Sequence, residues 1–221
     1  MGKVILLPET TKDPISLIGR RAGLCWGANI SDEKKNCQRG LDCIESNHGR
    51  TLEFVNIEAI LDGYSARVIR EWYTHIGGSP TRLQASTRYI NYSDFDYIIP
   101  KSVKTDEQKK IYFDTMKSIS NATQNLENSG VSREDTALLL PFGMSTRIVD
   151  KRNLRNVIEM SRQRMCSRAY WEYRKMFKDY IDELRKLSPE WEYIIQTQMK
   201  PKCEVLGYCN EKYSCGRKPK E

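Results

Sequence analysis

The stretch EWYTHIGGSPTRLQASTRYINY, residues 71–92, gathers groups that seek anions. His75, Gly77-Gly78, Thr81, Arg82, Ser86, Thr87 and Arg88 all fall within it. Ser86 and Thr87 hydroxyls, consecutive backbone N–H groups and the Arg88 fork make a cradle of the kind that holds a phosphate. Taken alone, the same residues also describe a solvated loop. A histidine at a helix end also complements the negative pole of the helix. No residue beside Ser86 reads as a general base, so Ser86 is not expected to be a nucleophile. A second basic region, residues 147–174, interleaves Arg152, Arg155, Arg162, Arg164 and Arg168 with apolar residues. Such arginines most often form a solvated helix face. Arg155, Arg162 and Arg164 do not share one face, so some must point inward or toward a partner. Trp72, Tyr73 and Tyr89 read as core.

The seven cysteines are an odd number, and the N-terminus MGKVILLPETTKDP has no small-residue cleavage site. Reduced thiols in a cytoplasmic protein follow. Cys203, Cys209 and Cys215 are evenly spaced, too far apart for the tight pairs of a zinc ribbon. No metal is expected. The chain carries a formal charge of +7, which favours anionic partners without choosing among them. It has no run of about eighteen apolar residues, so no membrane span is expected.

The elements that must position these groups follow from periodicity. GKVILLP reads as a strand. RTLEFVNIEAIL does too, with Val55, Ile57, Ala59 and Leu61 alternating, and Asp62-Gly63 reads as the turn after it. Ala66, Ile69, Trp72, Tyr73 and Ile76 mark one helical face that Gly77-Gly78 ends. RYINYSDFDYIIP reads as extended. Thr105 with Gln108 makes a capping box for a long helix followed by Gly130, and Ser132 with Asp135 caps a short one. Asp150 reads as the cap of a helix through KRNLRNVIEMSRQR. Tyr173, Phe177, Tyr180, Ile181 and Leu184 line a further helix, and Pro189 opens another. Strands early and helices late point to an α+β fold with a mixed or antiparallel sheet. Residues 1–200 read as one domain and 201–221 as a basic, cysteine-rich, loop-like tail.

In order, HGRTLEF (48–54), REWYTHI (70–76), STRY (86–89), LLPFGMST (139–146), NLRNVIEMSRQR (153–164) and AYWEYR (169–174) resemble the flavin-dependent thymidylate synthases. The resemblance covers roughly residues 45–177. It implies a His…Glu element on a strand, a helix ending in a histidine motif, a Leu-Pro strand end and a later helix with Asn-x-Arg. It implies reductive methylation of dUMP to dTMP, with FAD as cofactor, NADPH as reductant and methylenetetrahydrofolate as carbon donor. It further implies a homotetramer with shared active sites, and no nucleic acid as partner. By match, Gln84, Ser86, Thr87, Arg88 and Arg164 face dUMP, with Arg164 the catalytic cation at the pyrimidine. By match also, His48, Glu53, His75, Asn153 and Arg155 face FAD. Both histidines of the chain fall on family positions.

The motif departs from the family's Arg-His-Arg, seven residues, Ser. Here stand Thr74, His75 and Ile76, with nine residues before Ser86. Ala137 and Gln84 replace an arginine and a carboxylate of the family. The stretch THIGGSPTRLQASTRY looks like a variant of the family from clostridial bacteria. GGSPTR is then expected to rebuild the lost anion site, with Arg82 as an added contact. Two rivals accompany this reading. One is a flavoprotein of the same fold acting on another pyrimidine or one-carbon donor. The other is a basic nucleic-acid-binding module.

Overall fold

The computed structural model describes residues 2–219; Met1 and the last two residues of the tail 201–221 lie outside that range. The elements run β1 (Lys3–Leu6), α1 (Pro14–Cys25), α2 (Glu33–Glu45), α3 (Gly49–Leu52), β2 (Asn56–Ser65), α4 (Ala66–Trp72) and β3 (Thr81–Gln84). Then follow α5 (Asp106–Asn128), α6 (Arg133–Thr136), a 3-10 turn (Ala137–Leu139), β4 (Ser145–Asn153), α7 (Leu154–Arg164), α8 (Trp171–Arg185), α9 (Pro189–Gln198) and α10 (Lys202–Leu206). The fold is α+β, with an antiparallel sheet in the order β1-β2-β4-β3. The described residues divide into two compact units. One holds Leu61–Thr74 and Leu83–Ile148 with the start of the chain; the other holds Val4–Ile60, His75–Arg82 and the residues from Val149 on. Among the described residues, no helix is long and apolar enough to cross a membrane.

The first unit packs Phe95, Met116 and Met144 against Tyr92, Tyr97, Tyr112 and Leu140. Its long helix α5 starts with the expected capping box, Thr105 and Gln108 each answering the other's backbone. Ser129 ends it, and Gly130 follows at φ 94°. Trp72 is fully buried, as expected, but Tyr89 is exposed at its surface. RYINYSDFDYIIP is not a strand; its one bridge joins Tyr97 to Met144. Leu140-Pro141 lies between the 3-10 turn and β4, not at a strand end. α4 stops at Trp72, so Gly77-Gly78 does not terminate it, and Ile76 is exposed rather than on a buried face.

The second unit buries Val55, together with Ile57 and Ala59 of β2, with the buried faces of α1, α7, α8 and α9. Tyr173, Phe177, Tyr180, Ile181 and Leu184 all lie inside, as their spacing requires. The sequence pattern did not announce α1 and α2, because each carries a glycine in its interior. Those glycines are what let the helices cross closely: a Cβ on Gly19 would sit 1.7 Å from the Asn36 carbonyl oxygen, and one on Gly40 2.0 Å from that of Ile15. Glu190 of α9 accepts from the Ile15 and Ser16 N–H groups at 2.6 and 3.1 Å, capping α1 from far along the chain. β2 begins at Asn56, after the short helix α3, so the His48…Glu53 element is helical rather than a strand. The strand continues through Asp62-Gly63, which is therefore no turn between elements. The tail is not all loop, since α10 lies in it.

The expected helix through KRNLRNVIEMSRQR is present as α7 but starts only at Leu154, and residues 145–153 before it form a late strand, β4. Asp150 caps nothing. Residues 145–153 alternate in burial, with Thr146, Ile148, Asp150 and Arg152 inward. Asn153 is the actual cap of α7, its side chain accepting from the Asn156 N–H at 2.9 Å. In the second unit Arg152 and Asp150 both have no exposed side-chain surface. Arg152 Nε and Nη2 donate to the two Asp150 oxygens at 2.5 and 2.7 Å, and Nη1 donates to Asn156 Oδ1 at 2.6 Å. This fork ties the end of β4 to the start of α7. A buried pair stripped of one partner leaves a bare charge, a loss of about 3–5 kcal/mol. Asp150→Ala is therefore expected to lower urea-unfolding stability by that order, and replacing both residues with leucine to recover more than half of it. A single variant within about 1 kcal/mol of wild type would show that the pair does not hold this junction.

Candidate active site

Two groups of side chains within the second unit, and one within the first, bear on chemistry. The first group surrounds the N-terminus of α7. Glu53, Gly77, Gly78, Asn153, Arg155 and Glu159 line a cavity of about 230 Å³ together with Asn156. Arg155 Nη1 donates to Glu53 Oε1 at 2.7 Å, and its Nε lies 3.5 Å from Glu159. The hydrogen bond from Arg155 holds the Glu53 carboxyl below its usual range; desolvation, next in size, opposes it, and the charges of Arg50 and Arg155 add smaller effects in the same direction as the bond. Gly78 has φ 71°, and a Cβ there would lie 2.1 Å from Asn153 Nδ2. The glycine is thus needed to let the loop lie on the cap of α7. Ser79 follows at φ 52°, a strained setting for a residue that precedes proline.

The second group is His75, Arg164 and Tyr173. Arg164 Nε donates to His75 Nε2 at 2.8 Å. The Arg164 guanidinium carbon lies 4.3 Å from the centre of the Tyr173 ring, and His75 meets that ring edge-on. An imidazole nitrogen that accepts carries no proton, which places the His75 proton on Nδ1. Burial first, then the charges of Arg164 and Arg152, push the His75 pKa down to about 4. His75 is therefore a neutral acceptor at pH 7, not a cation answering a helix end.

In the first unit, residues 84–88 leave β3 and form a turn. Gln84 Nε2 lies 3.5 Å from Thr146 Oγ1, and the Ala85 N–H donates to the Arg147 carbonyl at 2.8 Å. Ser86 Oγ accepts from the Arg88 N–H at 3.2 Å. Thr87 is half-buried beside it. Arg88 pairs with Glu134 at 3.2 Å, both side chains well exposed. Arg147, unremarked in the sequence, forms a fork with Asp62 at 2.8 and 2.9 Å.

The structure thus brings Glu53, Asn153 and Arg155 together, and separately His75 with Arg164. His48 lies exposed before α3, and its ring caps nothing. Arg82 sits half-buried on β3 rather than in the loop before it. Arg152 is the arginine of the basic run that points inward. Gly77 and Gly78, expected in a rebuilt anion site, line this cavity, and sequence reasoning passed over Asn156 and Glu159. The signal available was the Asn153…Asn156 capping spacing and the i, i+4 pair Arg155…Glu159. Among the described residues, no three His, Cys, Asp or Glu side chains are grouped to hold a metal.

Comparison with known proteins bears on these groups. A profile of the family described as thymidylate synthase complementing protein matches residues 6–190. A flavin-dependent thymidylate synthase of Nitratidesulfovibrio vulgaris is 28% identical over 232 residues, covering 95% of this chain and 92% of that one. One of Clostridium tetani is 27% identical over 244 residues, with 98% and 94% covered. One of Thermococcus onnurineus is 30% identical over 171 residues, with 74% and 68% covered.

The depressed His75 pKa carries a sign. An unfolded histidine binds its proton near pH 6.5 and the folded one only near 4. Between those values the unfolded chain holds more protons, so acid favours unfolding. The contribution of His75 is fully present above pH 6.5 and is lost as pH falls toward 4. His75→Gln retains an acceptor and cannot titrate. Wild type is expected to lose more stability than His75→Gln between pH 7 and pH 4.5, read as urea midpoints. Parallel curves would refute a buried neutral imidazole.

Proposed function

The chain belongs to the flavin-dependent thymidylate synthase family, and on that premise we propose that it forms dTMP from dUMP, with FAD, NADPH and methylenetetrahydrofolate. The flavin, when bound, supplies the redox chemistry, and the chain's task is to bind, orient and stabilise charge. The observation that carries the reading is the family match over residues 6–190.

Arg164 is the proposed catalytic residue. Methylation at the pyrimidine requires charge to accumulate on the ring's carbonyl oxygens, and a fixed cation beside them lowers that cost. Arg164 is already oriented: Nε is committed to His75, and the Tyr173 face holds the guanidinium plane. A protonated His75 would oppose this arrangement with a second charge, so its neutrality serves the site. Ser86, Thr87 and Arg88 are proposed to hold the dUMP phosphate, with Gln84 and Arg82 as further contacts. The exposed Arg88–Glu134 pair contributes little on its own, so a phosphate dianion displaces it easily.

The cavity at α7 fits part of FAD. It presents one guanidinium against two carboxylates, an unfavourable balance for pyrophosphate. Its acceptors, Glu53 and Glu159, and its amides, Asn153 and Asn156, suit sugar hydroxyls. Its volume, about 230 Å³, holds only a piece of a dinucleotide. His48 and His75 complete the proposed FAD set. The remaining contacts are proposed to come from other copies in a homotetramer. The first unit supports assembly: α5 buries little, and Ile111, Leu138 and Phe142 are 62%, 86% and 65% exposed.

Arg164→Ala is expected to fold, by circular dichroism, and to cut dTMP formation by about 100-fold or more. Turnover within about three-fold of wild type would remove Arg164 from the chemistry. Assembly is tested by diluting the yellow protein while following flavin absorbance and sedimentation together. Flavin is expected to leave as the oligomer dissociates. A monomer that keeps FAD one to one would exclude shared sites.

A further inference from the structure

Four of the seven cysteines border one cavity of the second unit. Cys166, Cys203, Cys209 and Cys215 line a space of about 680 Å³ enclosed by the turn after α7, α10 and the loop beyond it. All four are free thiols. The loop is closed on itself: the Cys209 N–H donates to the Lys218 carbonyl at 2.7 Å, and the Gly216 N–H to Ser214 Oγ at 3.1 Å. Arg168 to Glu211, at 2.7 Å, and Arg217 to Glu204, at 3.5 Å, fasten it to its surroundings. Further cations, Arg162, Lys202 and Lys218, share the lining.

The thiols differ in access. Cys215 is exposed, Cys166 and Cys203 are half-buried, and Cys209 is buried. The Cys215 sulfur bonds to the Ser167 side chain, one residue from Cys166. That bond first, then the Arg217 N–H and charge, brings the Cys215 thiol below its ordinary value. Cations beside an accessible thiol favour the nucleophilic thiolate. The thiols are not grouped for a metal ion.

We propose that this pocket is an oxidative modification site, in which Cys215 reacts with a hydroperoxide and Cys166 resolves the product as a disulfide. The Cys215 thiolate attacks one peroxide oxygen, the O–O bond breaks, and hydroxide leaves, taking a proton to become water. The sulfenic acid formed is then attacked at sulfur by the Cys166 thiol. Its hydroxyl departs with that thiol's proton as a second water, and the S–S bond forms. Two thiols give up two electrons, and one hydrogen peroxide becomes two waters. The product pins the loop after α10 to the turn after α7.

The full-length protein serves for the test, with hydrogen peroxide as oxidant and peptide mass mapping as readout. Cys25 is the internal control: it too is exposed, but its thiol lies 4.0 Å from the Arg21 carbonyl, and it does not line this pocket. Cys215 is expected to oxidise before Cys25, and a Cys166–Cys215 peptide to accumulate. In Cys166→Ser the sulfenic acid is expected to persist at Cys215 and be captured by dimedone. Oxidation of Cys25 first would overturn the proposal. So would a Cys215 disulfide to Cys203 or Cys209 that leaves Cys166 reduced.

Discussion

A guanidinium with no exposed surface must be answered by a carboxylate, and here that demand falls on the end of β4. Asp150 and Arg152 point the same way because they are two apart on a strand. Their fork uses both oxygens, and the spare nitrogen of Arg152 reaches Asn156 on α7. The strand-to-helix junction is thereby fixed at three points: the fork, the Asn156 amide and the Asn153 cap. Both side-chain groups of α7, at its first and last turns, hang from that junction. Arg155 leaves the first turn of α7 toward Glu53, and Arg164 leaves its last turn toward His75.

The buried charge also acts at a distance. Arg152 helps to keep His75 unprotonated, after burial and Arg164. A neutral imidazole can accept from Arg164, whereas an imidazolium would meet it donor to donor. The protonation state of the histidine is thus set by its surroundings. Thr74 and Ile76 flank His75 and carry no charge. Ile76 is exposed, and the neighbouring glycines rest on the cap of α7. Gly77 and Gly78 shape a small polar cavity there rather than supply a cation.

Legibility in the sequence followed how local each signal was. The alternation Val55, Ile57, Ala59, Leu61, the Thr105–Gln108 box and the buried stripe of α8 are local patterns, and they hold. β4 was hidden because Asp150-Lys151-Arg152-Asn153 is polar throughout. Nothing local says that two of those charges neutralise each other inside. α1 and α2 were hidden by glycines whose purpose, close crossing, shows only when both helices are present. At the site, Glu53, His75, Asn153, Arg155 and Arg164 were picked out by the family resemblance rather than by any local pattern. The two pairings among them, and the carboxylate excess of the α7 cavity, depend on contacts between segments up to 102 residues apart.

The central claim is that His75 is held neutral, with its bare Nε2 facing Arg164. The chain has two histidines, so long-range proton–nitrogen NMR spectra of ¹⁵N-histidine protein resolve both. His48, exposed, serves as the reference within the same sample. The expected result is an Nδ1–H tautomer for His75 with a titration midpoint near 4. An Nε2–H tautomer, or a midpoint near the free value of about 6.5, would contradict the account.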